Sequence, residues 1–477
     1  MQGTIREEAR DIPVLEKVDV LVAGGGVAGC AAAVSAARAG ASTLLMERNG
    51  CLGGVATATL MANIGNRYLT ASGKQVISGF AGEVVERLVE IGAASARWRN
   101  RDVPGVVIDS ERLKVVLIEM AEEAGVRVLT HSVAARPIMH GSAVSGVFCE
   151  SKSGRQAVLA KATVDATGEA DLAHQAGARC RFQTGSASIL FKLANVDLDA
   201  FVAFLAEDPD GFPAGQDSVK DLETFDRNWR ERGTLFFPHG GGRTWPFLQE
   251  AVARGDLKKE IPPAFSLDAF GLYAIGGPGF VVVNSNFYRI ADLDVRNLSE
   301  FELHAQKICY YLADFMIKHV PGFSRAHVAH IGVDLGVRVS RYIEGRSVLD
   351  DKNVLSAPAP VLADDVIGTF PVCDQRPERQ GFFRDYTCDI PFGITVPLGC
   401  DNLLVGSGKS VSTASPAILR GMTGCMICGQ AVGAASALAA AKGLPSADVP
   451  VRELQRELMR QKAYLGEPER LRALGLT

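Results

Sequence analysis

The sequence predicts an α/β protein, in which helices cover a parallel sheet and an α+β segment is inserted between two parts of the chain that build this sheet. Three observations lead to this prediction. A buried-strand pattern, a Gly-rich turn and a small-residue helix pattern follow one another at 17–40, as in the units of parallel sheets. A second strand and Ala/Gly-rich helix pattern occupies 401–443, whereas the stretch between about 184 and 330 has longer loops and most of the aromatic residues. The chain of 477 residues, 47% of them hydrophobic, is long enough for about three structural units.

Composition narrows the classes of partner and compartment. The formal net charge is −4, and a chain without a basic excess is not expected to bind nucleic acid. The first residues are polar, and no uninterrupted apolar run reaches the length of a membrane span. The ten cysteines form no disulfide framework, as is usual in a reducing compartment. We therefore expect a cytoplasmic protein that does not associate with membranes, and we expect no metal site, because only Cys425 and Cys428 form a close pair.

The Gly-rich turn predicts a dinucleotide site. Residues 17–23 are a β-branched apolar run, and Gly24, Gly26 and Gly29 follow in G-x-G-x-x-G spacing before the helix pattern. Gly24 allows the tight turn, Gly26 lets the backbone approach a pyrophosphate, and Gly29 allows close packing of helix and strand. The first helical residues, Val27 and Ala28, then present free N–H groups to the phosphates.

An acidic residue ends the next strand pattern. This residue is Glu47, whose carboxylate is suited to accept hydrogen bonds from ribose hydroxyls and would repel a 2′-phosphate. The residues alone thus disfavour NADP and leave NAD and FAD as alternatives.

Three further segments resemble FAD-dependent oxidoreductases of the glutathione reductase and succinate dehydrogenase flavoprotein superfamily. They are "ERNGCLGGVATAT" (47–59), "ATVDATGEADLAHQAGA" (162–178) and the segment 401–443, and the "RVSR" stretch at 338–341 also follows the order of the broad family. The resemblance implies FAD as the cofactor and a Rossmann-like FAD-binding domain with an inserted substrate-binding cap. The FAD-binding residues that it implies, together with those of the first turn, are Gly24, Gly26, Val27, Ala28, Gly29, Glu47, Arg48, Leu52, Gly53, Gly54, Ala56, Thr57, Val133, Ala166, Thr167, Gly168, Asp171, Gly408, Ser412, Gly424 and Cys425.

The chain departs from relatives in this superfamily at several points. Gly408-Lys409 stands where the family often has Gly-Arg, and no cysteine pair follows the Gly53-Gly54 turn, so we do not expect a disulfide reductase. No second strand–turn–helix unit for a nicotinamide nucleotide is evident. Cys425 and Cys428 begin the last Ala/Gly-rich helix pattern, where they either pack on the cofactor or exchange electrons with it.

The candidate substrate-binding and catalytic residues are mostly arginines. Arg338 and Arg341 are suited to hold a carboxylate, or else they form ordinary salt bridges with Glu344 or Asp334. Arg420 and Asn63 are further candidates for substrate contact. The Gly-rich loop after "TLFFP" contains His239, a candidate catalytic residue, and Arg243, a candidate substrate ligand. This loop either covers the cofactor or is a surface turn.

The order of elements suggests a discontinuous domain. We expect the FAD-binding domain at 15–183 and 331–446, the cap at 184–330 and a helical tail at 447–477. Within them, 109–130 reads as a capped helix followed by a strand, and the stretch 296–323 as one long helix that is stopped at Pro321-Gly322. The tail reads as a polar helix that packs on the surface or on a second subunit.

The expected function is FAD-dependent hydride transfer between flavin N5 and a small organic substrate, which is polar or carries a carboxylate. The sequence leaves the direction of transfer open. Two alternatives remain: the flavin subunit of an electron-transfer complex, and a non-redox protein that uses FAD as a structural ligand. An electron-transfer partner or a homo-oligomer is compatible with each of these.

Overall fold

A computed structural model describes residues 3–65, 68–99, 105–207, 229–230, 233–237, 250–251, 253–256, 265–266, 271–275, 279–285, 287–350, 360–373, 383–414, 416 and 419–477. The strands of this part of the chain are β1 (Val14–Ala23), β2 (Thr43–Met46), β3 (Arg127–Leu129), β4 (Val133–His140), β5 (Ala143–Ser151), β6 (Gly154–Asp165), β7 (Cys180–Phe182), β8 (Gly185–Ser188), β9 (Phe191–Ala194), β10 (Thr234–Phe237), β11 (Phe265–Ser266), β12 (Gly271–Ile275), β13 (Val281–Asn284), β14 (Phe287–Ile290), β15 (His327–Ile331), β16 (Gly336–Val337), β17 (Arg341–Ile343), β18 (Val366–Cys373), β19 (Phe383–Pro391) and β20 (Leu403–Val405). The helices are α1 (Val27–Arg38), α2 (Phe80–Glu90), α3 (Ser110–Glu123), α4 (Asp171–Gln175), α5 (Leu198–Glu207), α6 (Val295–His319), α7 (Met422–Lys442), α8 (Val451–Arg460) and α9 (Pro468–Ala473).

In the described part of the chain, the largest sheet has seven strands and follows the predicted α/β pattern. Its order is β3-β2-β1-β6-β5-β4, and β20 also pairs with β6. Strands β3, β2, β1, β6 and β20 are parallel, whereas β4, β5 and the first half of β6 form an antiparallel meander. The long strand β6 belongs to both parts, because its first half pairs with β5 and its last residues pair with β20.

Two small-residue helices cover this sheet and approach each other closely. A Cβ atom built on Gly429 of α7 would lie 2.1 Å from the Ala28 carbonyl oxygen of α1, and one built on Gly433 would lie 2.1 Å from that of Ala32. Only glycine therefore allows α7 to lie this close to α1. By length and composition α7 could cross a membrane, but 89% of its apolar window is buried inside the protein.

A second hydrophobic core lies within residues 189–326, inside the segment predicted as the cap. Here β9, β10, β12, β13 and β15 form one sheet, and α6 packs beside it. Phe201 and Phe323 meet edge to face in this core, with ring centroids 5.3 Å apart. Helix α6 ends at His319, before Pro321-Gly322, as predicted, and α3 begins after the capping side chain of Asp109.

The tail packs on the first core. Leu454 and Leu458 of α8 are fully buried there. The side-chain amide of Gln461 donates to the Ser35 carbonyl oxygen of α1, at 3.0 Å. These contacts pack α8 and Gln461 against the first core. The division into domains stays a prediction.

Candidate functional site

A cavity of about 540 Å³ opens where several elements converge. The ends of β1 and β6, the segment after β20, the beginning of α7, strands β8 and β12 of the inserted part and strand β16 all border it. Its volume is in the range of cofactor and ligand sites. The predicted residues that line it are Gly24, Gly26, Val27, Ala28, Glu47, Arg48, Gly54, Asn63, Val133, Ala166, Thr167, Gly168, Asp171, Arg338, Arg420 and Cys425.

The glycines of the first turn have two roles. Gly24 and Gly29 allow close packing, whereas Gly26 faces open space. A Cβ atom built on Gly24, which has φ +102°, would lie 2.4 Å from the Ala166 carbonyl oxygen, and one built on Gly29 would lie 1.7 Å from that of Gly24. In the part of the chain that the structure describes, a Cβ atom built on Gly26 would meet nothing within 4 Å, and Gly26 borders the cavity. The backbone at Gly26 and the beginning of α1 are therefore open to an anionic group, which the positive end of the helix dipole attracts.

Glu47 is fixed at the end of β2 by two backbone groups. Its Oε2 atom accepts from the Gly25 N–H at 2.6 Å, and its Oε1 atom accepts from the Asn49 N–H at 2.7 Å. Burial raises the pKa of this carboxyl group. Each carboxylate oxygen keeps a further lone pair, so the group can still accept hydrogen bonds from the hydroxyls of a ligand in the cavity.

The second glycine turn lies against the first. The Gly53 N–H donates to the Gly25 carbonyl oxygen at 2.8 Å, and a Cβ atom built on Gly54 would lie 2.9 Å from Gly26 Cα. The Thr57 hydroxyl donates to the Leu52 carbonyl oxygen at 2.6 Å. Gly54 lines the cavity. The other predicted residues of this turn do not line it, and neither does Gly29 of the first turn. Those of this turn are Leu52, Gly53, Ala56 and Thr57.

A buried aspartate, which sequence reasoning missed, holds the segment after β6. Asp165 accepts hydrogen bonds from the Thr167 hydroxyl at 2.7 Å, the Thr167 N–H at 3.1 Å and the Ala173 N–H at 2.9 Å. These bonds fix the turn through Ala166 and Gly168, which form part of the cavity wall. The available signal was an acidic residue at the end of the strand pattern "ATVDATG".

Lys409 lies in the cavity wall, at the position where the chain departs from its relatives. Its Nζ atom forms an ion pair with Glu169 and donates to the Val337 carbonyl oxygen at 2.8 Å. A Cβ atom on Gly168 would lie 3.1 Å from Lys409 Cε, so the glycine makes room for the lysine. Lys409 lies in the segment after β20, and it thus connects this segment to β16 and to the segment after β6.

Gly408, Gly424 and Ser412 do not line the cavity. Cβ atoms built on Gly408 and Gly424 would lie 2.2 and 2.5 Å from the Leu419 carbonyl oxygen, so both glycines allow the close packing that places the beginning of α7. Ser412 is buried beside Gly345, and its N–H donates to the Ile394 carbonyl oxygen.

The two candidate arginines of β16–β17 have different positions. Arg341 donates to the Glu169 carbonyl oxygen at 2.8 Å and forms an ion pair with Asp171. The partner is Asp171 rather than Glu344 or Asp334, and Arg341 does not line the cavity. Arg338 does line it, with its guanidinium carbon 4.4 Å from the centroid of the Phe287 ring.

The remaining sequence-derived candidates divide into three groups. Arg420 and Asn63 border the cavity, and Asn63 Oδ1 accepts from the Gly65 N–H at 2.9 Å. Arg48 pairs with Asp334 at 2.6 Å and so joins the end of β2 to the segment before β16. His239 and Arg243 lie outside the described residues.

The two cysteines of α7 are buried. Burial raises the pKa of both thiols, and Cys425 Sγ lies 3.8 Å from the Ser407 hydroxyl. A neutral thiol is a poor nucleophile. The contacts are those expected of a packing residue at the cavity wall.

The wall also contains residues that sequence reasoning did not single out. Its apolar members include Met61, Ile64, Leu190, Leu335 and Met422, and its polar members include Tyr273 and Glu169. No local motif marks these residues, because they reach the cavity from strands and loops that are far apart in sequence.

This arrangement fits FAD. Gly26 and the beginning of α1 form an open site for phosphates, Glu47 can accept ribose hydroxyls, and half-exposed Val133 lies beside it at the start of β4. Gly54, Gly168, Arg338 and the beginning of α7 border the same cavity, so the redox-active part of the cofactor and a substrate would share it.

The comparison with protein families agrees with this fit. The family described as FAD dependent oxidoreductase matches residues 19–458. The chain therefore belongs to that family, and its cofactor is FAD, as predicted.

Individual proteins match this chain at low identity or over only part of its length. Digeranylgeranylglycerophospholipid reductase 2 of Methanothermobacter thermautotrophicus is 31% identical over 188 residues, which are 38% of this chain and 48% of that protein. The match thus spans about half the length of this relative.

Among solved structures, a geranylgeranyl bacteriochlorophyll reductase-like protein from Thermoplasma acidophilum is 15% identical, with a TM-score of 0.42 over 94% of this chain and 87% of its own. The p-nitrophenol 4-monooxygenase of Pseudomonas putida is 10% identical, with a TM-score of 0.47 over 97% and 93%.

Proposed function

We propose that this protein catalyses hydride transfer between flavin N5 and a carbon atom of a small substrate that is polar or carries a carboxylate. The observation that carries the proposal is the continuity of the cavity. Residues suited to FAD and the candidate substrate ligands Arg338, Arg420 and Asn63 all border this one cavity.

FAD supplies the redox chemistry when it is bound, and the protein supplies binding, orientation and electrostatics. Gly26 and the beginning of α1 would hold the phosphates, and Glu47 the ribose. Arg338 and Arg420 would hold a carboxylate of the substrate by paired N–H donors. The apolar wall around Met61 and Leu190 would exclude water from the reacting atoms.

The proposal includes a cytoplasmic location. Each cysteine whose side chain the structure describes is free, and this state is usual in reducing compartments. The archaeal relative is named as a reductase of an isoprenoid lipid, so an unsaturated apolar chain is the alternative substrate. The apolar members of the cavity wall are the observation that favours it.

The test combines cofactor release with an anaerobic substrate screen. The purified protein is expected to carry flavin that acid releases. The oxidised form is then mixed with hydroxy and amino acids, and the dithionite-reduced form with unsaturated carboxylates and geranylgeraniol. We expect one class to change the flavin absorbance, because its reacting carbon can reach the cofactor beside Arg338.

Arg338→Met should slow this change at least tenfold, since the substitution removes the cation and keeps most of the apolar stem. The matched control is Arg346→Met. Arg346 is half exposed and donates to the Ala447 carbonyl oxygen on the surface, so its loss should leave the rate unchanged.

Two results would support the alternatives instead. Flavin that only dithionite reduces, and that no compound reoxidises, indicates a structural ligand. Flavin that a co-purifying iron–sulfur or ferredoxin-like protein reduces indicates the subunit of an electron-transfer complex.

A further inference from the structure

Tyr273 borders the cavity from a paired strand of the inserted segment. It lies on β12, which pairs with β10 on one side and β13 on the other. Its side chain borders the cavity and is 3% exposed. The ring of Phe236 stacks on it, with centroids 5.5 Å apart. A group on a central strand with a stacked neighbour is held more precisely than one on a loop.

A buried amide orients this hydroxyl. Asn284 of β13 is fully buried, and its Nδ2 atom donates to the Tyr273 hydroxyl oxygen at 3.1 Å. In this orientation the amide is the donor, so the bond does not use the proton of the phenol, and Asn284 Oδ1 has no hydrogen-bond partner among the described residues. A phenol is both donor and acceptor, so the proton remains available for an acceptor in the cavity. Burial raises the pKa of Tyr273, and the phenol therefore keeps its proton at neutral pH.

The positive charge of Arg338 lies at the same cavity. The guanidinium of Arg338 borders the cavity and lies over the Phe287 ring. Tyr273 borders the same cavity, and the charge of Arg338 lowers the pKa of the phenol, against the larger effect of burial. An oxygen atom of a ligand can thus meet a neutral O–H donor and a cation together.

We propose that Tyr273 donates a hydrogen bond to a carboxylate or carbonyl oxygen of the substrate beside Arg338, and that Asn284 is its positioning residue. The proposal rests on the function proposed above and deepens it. It assigns recognition of an oxygen-bearing group to a tyrosine–arginine pair of the inserted segment.

The experiment is a binding titration on the FAD-loaded protein. Benzoate serves as the probe at constant ionic strength, and the shift of the visible flavin band gives its Kd. Tyr273→Phe should raise this Kd about tenfold or more, since hydrogen bonds to charged groups are the stronger kind. Asn284→Asp should raise the Kd similarly. The aspartate would accept a hydrogen bond from the Tyr273 O–H, which would then no longer face the cavity.

Tyr68→Phe is the matched control. Tyr68 is equally buried, but its hydroxyl donates to the Ala81 carbonyl oxygen and does not border the cavity. Its removal should lower stability slightly and leave the benzoate Kd unchanged.

The outcomes separate the two proposals. If Tyr273→Phe retains flavin and binds benzoate as the natural protein does, or if the FAD-loaded natural protein binds no benzoate, the role of Tyr273 is overturned. A protein that purifies without flavin and takes up none overturns the proposed function itself.

Discussion

At the scale of single residues, Gly26 is a position where a substitution should weaken cofactor binding without weakening the fold. A methyl group there would meet no atom of the described residues within 4 Å, and the φ of −65° at Gly26 suits alanine. Gly26→Ala should therefore leave the FAD-free protein as stable as before, or stabilise it by about 0.5 kcal/mol. It should weaken FAD binding at least tenfold, because the methyl group occupies the space of the approaching phosphates. Chemical denaturation and a fluorescence titration with FAD measure the two effects.

Gly29→Ala is the contrasting variant. Its Cβ atom would lie 1.7 Å from the Gly24 carbonyl oxygen, so the FAD-free protein itself should lose several kcal/mol. If both variants lose only stability, or both lose only affinity, the division between a cofactor-facing and a packing glycine is wrong.

Residue patterns predicted these glycines and Glu47 because a local turn and a strand end determine them. The partners of the charged residues could not be predicted in the same way. Lys409 meets Glu169 across 240 positions, and Arg341 meets Asp171 across 170. Nothing in a local pattern distinguishes Asp171 from Glu344 as a partner, and the choice depends on how β17 lies beside the turn after β6.

At the scale of elements, the contact between α1 and α7 depends on two glycines. In Gly433→Ala, the new Cβ atom would lie 2.1 Å from the Ala32 carbonyl oxygen and would force the helices apart. The free energy of unfolding should fall by about 2 kcal/mol or more. A urea denaturation curve of the FAD-free protein measures it.

The same substitution in another helix serves as the control. Gly82 lies in α2, where the nearest atom to a built Cβ is at 3.7 Å. Gly82→Ala should be neutral or should stabilise by about 0.5–1 kcal/mol through helix propensity. Equal effects of the two substitutions would show that close approach of α1 and α7 is not the constraint.

Helices α1, α3, α6 and α7 could be predicted because periodicity, caps and Gly or Pro stops act within each segment. The small sheets of the inserted part could not, since their pairing is non-local. Strand β9, for example, pairs with both β13 and β15. The short strands also carry little alternation. The cavity-facing position of Tyr273 depends on that pairing and therefore had no sequence signal.

At the scale of the whole molecule, one ligand would connect distant parts of the chain. The cavity takes its wall from β1, β6, the segment after β20, the beginning of α7 and the inserted strands. Removing FAD should therefore lower the Tm of global unfolding rather than loosen one loop. At a free FAD concentration one hundred times the Kd, the stabilisation is about 2.7 kcal/mol.

Thermal unfolding with and without added FAD measures this difference. Gly26→Ala is the control, since a variant that binds FAD poorly should show a much smaller shift in Tm. An unchanged Tm in the natural protein, with FAD demonstrably bound, would mean that the cofactor does not couple these segments.

The pairing of β20 with β6 and the packing of α7 on α1 also bear on synthesis at the ribosome. The first turn of the nucleotide site is translated early, but β20 and α7 are made only with residues 403–442. At usual elongation rates the interval is tens of seconds. During this interval, Ala28 and Ala32 are not yet covered by α7. The nascent chain therefore exposes an apolar surface that can aggregate.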